Sequence, residues 1–150
     1  MTKPKSPNGG FSLKESDFKK REFNFSEKQI KVLDALLGED TQIIFLSGPA
    51  GVSKTFVSAY AALHLLRSNP EKKILYIRSV IESASKSMGF LPGILEEKFE
   101  PYMVPLVDKV EEIVKEQPAQ QLVGNGIISC MPINFLRGAS WKDKIVIADE

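Results

Sequence analysis

The chain has 150 residues, 43% of them apolar and 26% charged, with a formal net charge of +1. Such a length and balance suit one globular domain with a real core and exclude collagen-like, low-complexity or polyelectrolyte classes. Cys130 is the only cysteine, so no internal disulfide can form, which fits a reducing cytoplasm. No run approaches the ~18 apolar residues of a membrane span, and the N-terminus has no apolar signal region; no membrane partner is expected.

Residues 1–24 are polar and contain Pro4, Pro7, Gly9 and Gly10. Their basic residues Lys3, Lys5, Lys14, Lys19, Lys20 and Arg21 outnumber Glu15, Asp17 and Glu22. Such a stretch reads as a flexible basic tail, either a solvated leader or an arm that touches nucleic acid, with the domain itself over 25–150. Ser26-Glu27-Lys28-Gln29 opens a helix whose Ile30, Leu33, Leu36 and Leu37 recur at helical spacing, with Gly38 as its stop. The apolar run 42–47 then reads as a strand. Lys54 to Arg67 reads as a helix ended by Ser68-Asn69-Pro70, and 73–78 as a second strand. After a less regular, Ser-rich region over 79–93, a short helix over 94–100 is expected to stop at Pro101. Another helix begins near Pro105 and carries the stripe Leu106, Val107, Val110, Ile113 and Val114. A polar connector over 117–126, a short strand over 127–130 and a clear strand over 144–149 complete the chain. Near-continuous apolar strands alternating with helices predict a doubly wound α/β domain with a parallel sheet.

Between the strand at 42–47 and the helix at 54 lies Gly48-Pro49-Ala50-Gly51-Val52-Ser53-Lys54-Thr55. In that strand–loop–helix context the residues form a phosphate-binding loop. Glycines let successive N–H groups face one concavity, and the helix adds the positive end of its dipole. Lys54 would reach the β- and γ-phosphates of ATP, Thr55 would ligate Mg²⁺, and the loop residues together with Phe56 in the first helical turn would bind the nucleotide. The pattern asks for Gly where this chain has Ser53, whose Cβ must point out of the phosphate channel or crowd it. Downstream, Asp149-Glu150 ends a buried strand, where open α/β sheets place ligand chemistry. Asp149 would serve the Mg²⁺ shell, and Glu150 would act as the general base on water. Gln29 has two compatible readings: the N3 partner of Ser26 in a capping box, or an amide that reads the adenine edge. His64, Phe135 and Trp141 read as packing residues.

With the phosphate loop, Gly89-Phe90-Leu91-Pro92-Gly93, Glu97-Lys98 before Pro101-Tyr102, Arg137-Gly138 and Asp149-Glu150 in order, the chain resembles the PhoH-like ATPase family over about residues 24–150. These are P-loop proteins of bacteria and phages first associated with phosphate starvation. The resemblance implies a P-loop NTPase fold, a three-layer α/β sandwich similar to the ATPase half of superfamily 1 helicases. It implies ATP and Mg²⁺ as cofactors, single-stranded RNA or DNA as partner, and hydrolase activity if the domain is complete; a homo-oligomer is a further expectation. By position, Gly48, Gly51, Lys54 and Thr55 would cradle phosphates and metal, Gln29 would lie near the base, and Asp149 and Glu150 would serve metal and water. Arg78, Lys86 and Arg137 stand as nucleic-acid or phosphate contacts or as solvated surface charges. In the family the acidic pair is normally followed by Ala-Gln-Asn and roughly half a domain more. The next strand would insert between the phosphate-loop strand and the Asp149 strand. A chain stopping at Glu150 is therefore expected to be a fragment with two unpaired strand edges and no arginine finger, hydrolysing ATP negligibly. A nucleotide-gated interaction module and a P-loop kinase are the competing functions.

Overall fold

In the computed structural model, which describes residues 10–40, 42–79 and 95–150, the Ser26–Gln29 spacing forms the capping box it predicts. Gln29 N donates to Ser26 Oγ at 3.3 Å, and Ser26 N donates to Gln29 Oε1 at 2.8 Å. Two otherwise orphaned N–H groups are thereby satisfied at the start of α1, Glu27–Leu37. α1 buries Leu33 against Val57 and Ala61 of α2, Lys54–Ser68. The opposite face of α2 puts Ala59, Ala62, Leu63 and Leu66 into the main core. At its end Asn69 closes the helix by donating its side-chain amide to Leu65 O.

Three parallel strands form the sheet: β1 Lys73–Arg78, β2 Ile128–Pro132 and β3 Lys144–Asp149, in the order β2-β1-β3. The register sets Ile74 opposite Ile128 and Ile145, and Arg78 opposite Pro132 and Asp149. Ile74 and Tyr76 share one apolar core with α2 and with α3, Leu95–Ile113. Leu75 and Ile77, which alternate to the other face, are buried as well, so the central strand is covered on both sides as an α/β sheet requires. No described helix is long and apolar enough to cross a membrane.

Four local expectations change. Residues 42–47 form no strand. Ile43 and Phe45 are 77% and 94% exposed, and no described strand lies beside this segment. An apolar run becomes a strand only where a neighbour accepts its N–H and C=O groups. Pro101 does not stop a helix, because α3 runs through both Pro101 and Pro105. Phe99, Met103, Leu106, Val110 and Ile113 are all buried and continue one stripe at spacings of three and four. That burial outweighs the roughly 3 kcal/mol an interior proline costs.

The expected connector is a helix, α4 Glu116–Gly124, with Pro118 in its first turn and Ala119 and Leu122 buried. Proline is tolerated there because first-turn N–H groups have no intrahelical partner. Lastly, residues 10–24 are not a loose leader. Leu13 and Phe18 are buried, Phe18 bridges Val114 in antiparallel fashion, and Lys19 N and Ile113 O bond at 2.9 Å. Phe11, Leu13, Phe18 and Phe23 supply enough apolar surface to hold a polar stretch against the core. Residues 1–9, the Gly89–Gly93 segment and Lys86 lie outside the described residues.

His64, expected as a packing residue, lies between Phe18, stacked with its ring centroid 4.6 Å away, and Tyr60, tilted at 4.5 Å. Its Nε2 is buried without a partner, and burial lowers its pKa below the ordinary 6.5. A histidine kept neutral in the fold gives up stability once the unfolded chain binds a proton that the native state refuses. Stability should therefore be full above pH 6.5 and should decline as pH falls below it. His64→Leu should flatten that decline between about pH 6.5 and pH 5, before carboxylates titrate, in thermal melts followed by circular dichroism. An unchanged slope would show that His64 is not its source.

Candidate functional site: the phosphate loop and the end of the third strand

The loop between residue 47 and α2 is built from two unusual backbone conformations. Gly51 has φ +83°, and Ser53, the residue before the helix, sits at φ 63°, ψ 32°. Both are in the left-handed region, which glycine enters freely and an L-residue at a cost of roughly 1–2 kcal/mol. The position at which the sequence pattern asks for glycine is thus one whose backbone favours it, and Ser53 carries the strain. The Ser53 side chain makes no cap bond to the helix, so the N–H groups of the first turn of α2 face the loop with the positive end of the helix dipole.

Lys54 folds back over this concavity. Its Nζ donates to Gly48 O and to Pro49 O, both at 2.9 Å. These two carbonyls occupy the acceptor role that phosphate oxygens would take in a nucleotide complex. Pro49, Ala50 and Val52 are exposed, and Pro49 and Val52 line the cleft beside the loop. Phe56, in the first turn, turns inward instead and packs 5.1 Å from Phe23 by ring centroid; it supports the helix and does not face the concavity.

Thr55 and Asp149, 94 residues apart, meet at the mouth of the loop: Thr55 Oγ1 donates to Asp149 Oδ2 at 2.9 Å. Because the hydroxyl spends its one proton on Asp149, its lone pairs stay available to a cation. A threonine hydroxyl and a carboxylate are hard oxygen donors suited to Mg²⁺, which takes few protein ligands when phosphates supply the rest. The same Oδ2 accepts a second bond, 2.7 Å from the Tyr76 hydroxyl. Burial first, and then the neighbouring Asp149, push the Tyr76 phenol well above its usual pKa.

Glu150 is placed differently. Its backbone is left-handed at φ 56°, and its carboxylate stands 3.6 Å from Arg78 Nη2. The structure therefore brings Glu150 to Arg78, a candidate nucleic-acid contact, rather than to the phosphate loop. Cys130 lies nearby on β2, where burial pushes its thiol up to about 11 against the opposing effect of Arg78. Arg137 is exposed beyond the turn that follows β2.

A cleft of about 700 Å³ opens between the start of α1 and the loop, lined among others by Phe25, Gln29, Val32, Gly48, Gly51 and Lys54. Gln29 stands in it with its capping role formed. Its Oε1 serves the capping box, while its Nε2 reaches Val52 O at 3.4 Å. One amide proton and one carbonyl lone pair remain for a ligand. Asn24 and Phe25 line the same cleft, and nothing in their spacing marks them in the sequence. Tyr76 was missed for a related reason, since its role depends on which strands are neighbours.

The PhoH-like protein family model matches residues 24–150. A PhoH-like protein of Bacillus subtilis is 39% identical over 108 residues, covering 72% of this chain and 34% of its own length. A PhoH-like protein of Mycobacterium tuberculosis is 33% identical over 122 residues, covering 81% and 34%. The protein PhoH of Escherichia coli is 33% identical over 127 residues, covering 83% and 35%. The chain thus spans about a third of the length of these curated relatives.

Ser53→Gly should relieve the left-handed strain, about 1 kcal/mol, offset in part by the greater freedom of glycine in the unfolded chain. The expected result is an equal or slightly higher melting temperature, with affinity for the nucleotide that the loop pattern calls for unchanged or tighter. An affinity loss beyond about tenfold, or ~1.4 kcal/mol, would show that the serine hydroxyl is itself a ligand contact.

Proposed function

The chain belongs to the PhoH-like family, and from that footing we propose that it binds ATP·Mg²⁺ at the loop 48–55 as part of an ATPase that acts on single-stranded nucleic acid. The observation that carries this reading is the 2.9 Å bond between Thr55 and Asp149. It unites the helix that follows the phosphate loop with the acidic end of β3, and a solvated acidic turn would not need such a partner.

In the proposed complex the phosphates enter the concavity of residues 48–53, and Lys54 exchanges its two carbonyl acceptors for β- and γ-phosphate oxygens. First-turn N–H groups of α2 add further donors. Thr55 and Asp149 would hold Mg²⁺, which when bound neutralises charge on the phosphates. The base lies in the cleft beside Phe25, with Gln29 offering one donor and one acceptor to its edge. For hydrolysis Glu150 must leave Arg78 and accept a proton from water at roughly 3 Å. An anionic nucleic-acid backbone that engages Arg78 would release it, which would make turnover depend on the strand. A cytoplasmic setting agrees with the single free, half-buried Cys130.

Glu150 held by Arg78 favours one second reading, a nucleotide-gated interaction module without turnover. Steady-state phosphate release by a protein of the relatives' full length that carries these residues, with and without single-stranded RNA or DNA, separates the two, since only the ATPase reading expects nucleic-acid stimulation.

The binding step has its own test. ATP·Mg²⁺ should bind in preference to adenosine in calorimetric titration, and Lys54→Ala should weaken binding by about one to two orders of magnitude. That loss corresponds to a charge-assisted contact of roughly 1.5–3 kcal/mol. Unchanged affinity in Lys54→Ala would remove the loop from the site.

A further inference from the structure

Tyr76 stands at a core position that an apolar side chain could fill. It lies in the middle of the central strand, is 0% exposed, and belongs to the cluster shared by α2, α3 and the sheet. A buried hydroxyl without a partner is costly, and this one finds its partner in the candidate site. In the β1–β3 register Tyr76 is opposite Ile147, so Asp149, two residues further on, lies on the same face at a diagonal that a long side chain can span. The phenol spans it and donates to Asp149 Oδ2 at 2.7 Å.

We propose that Tyr76 is a positioning residue for the candidate metal carboxylate, locking Asp149 from within the core so that its second oxygen is presented to the nucleotide-bound cation. The inference rests on the reading of Thr55 and Asp149 as the Mg²⁺ pair. Oδ2 receives two donors, Thr55 from the helix side and Tyr76 from the sheet side, which uses the lone pairs of that oxygen. Oδ1 carries neither bond. An aspartate at a strand end is otherwise free to turn about its own side-chain bonds, and a donor fixed in a packed core removes that freedom. Outer hydrogen bonds of this kind orient ligating carboxylates, and their loss typically weakens metal affinity by about 10–100-fold. Nothing in the phosphate-loop pattern demands a tyrosine here; it is the strand register that gives Tyr76 the role.

The test uses Mn²⁺ as the probe, with electron paramagnetic resonance measuring its affinity for the ADP-loaded protein. Tyr76→Phe keeps the ring and deletes the hydroxyl. It should weaken Mn²⁺ binding about tenfold while metal-free ADP affinity stays within about twofold, a split that a general loss of structure would not produce. Asp149→Asn is the reference. If Asp149→Asn weakens Mn²⁺ binding and Tyr76→Phe does not, the role of Tyr76 is overturned while the metal pair stands. If neither variant changes it, the metal-pair reading fails and the inference with it. A second readout needs no substitution at Tyr76: Mg²⁺ added to the ADP complex should perturb tyrosine absorbance in the wild-type chain and not in Asp149→Asn. A wild-type spectrum that does not change overturns the proposal.

Discussion

The bond from Thr55 Oγ1 to Asp149 Oδ2 ties the first turn of α2 to the end of β3, and the geometry of the site follows from it. A helix N-terminus offers donors to any anion, and a strand end often carries an acidic residue. Together they form the candidate place for phosphate negative charge and a divalent cation side by side. Tyr76 extends the tie into the core, so the carboxylate is fixed by packed elements on two sides. The sheet register and the packing of α2 on β1 and β3 thus set where one oxygen of the Asp149 carboxylate points.

The loop itself shows the opposite economy. Its residues 48–53 are exposed, two of them are in left-handed conformations, and Lys54 is held by loop carbonyls. Those contacts are of a kind that phosphate oxygens can replace at little cost, so the loop is poised for an anion without depending on one. Glu150 lies apart from this arrangement, paired with Arg78 at the end of the sheet. The candidate binding groups and the candidate water-activating group are therefore held separately, the first at the start of α2 and the second by Arg78.

Much of this was legible in the sequence where the signal is local. The Ser26–Gln29 capping box, the start of α2 at Lys54 and the strands at 73–78 and 144–149 follow from spacing and periodicity, whereas of the acidic pair only Asp149 reaches Thr55 and Glu150 pairs with Arg78. What was not legible depends on partners distant in the chain. The run at 42–47 has strand composition and no ladder neighbour among the described residues. Pro101 reads as a helix stop and Pro105 as the start of a second helix until the continuous buried stripe of α3 is seen. Residues 10–24 read as a tail because their few apolar residues are widely spaced, and only the surface of α2 and α3 explains their order. The role of Tyr76 required the register of β1 against β3, which no local pattern contains.

The central claim is that a nucleotide-bound cation sits between Thr55 and Asp149 at the phosphate loop. Paramagnetic broadening of backbone amide resonances by Mn²⁺ in the presence of ADP locates such a cation directly. The account predicts selective broadening of residues 48–56 and 147–150, with the surface of α4 unaffected and the effect abolished by displacing Mn²⁺ with excess Mg²⁺. Broadening centred elsewhere, or none at concentrations that saturate ADP, would contradict it.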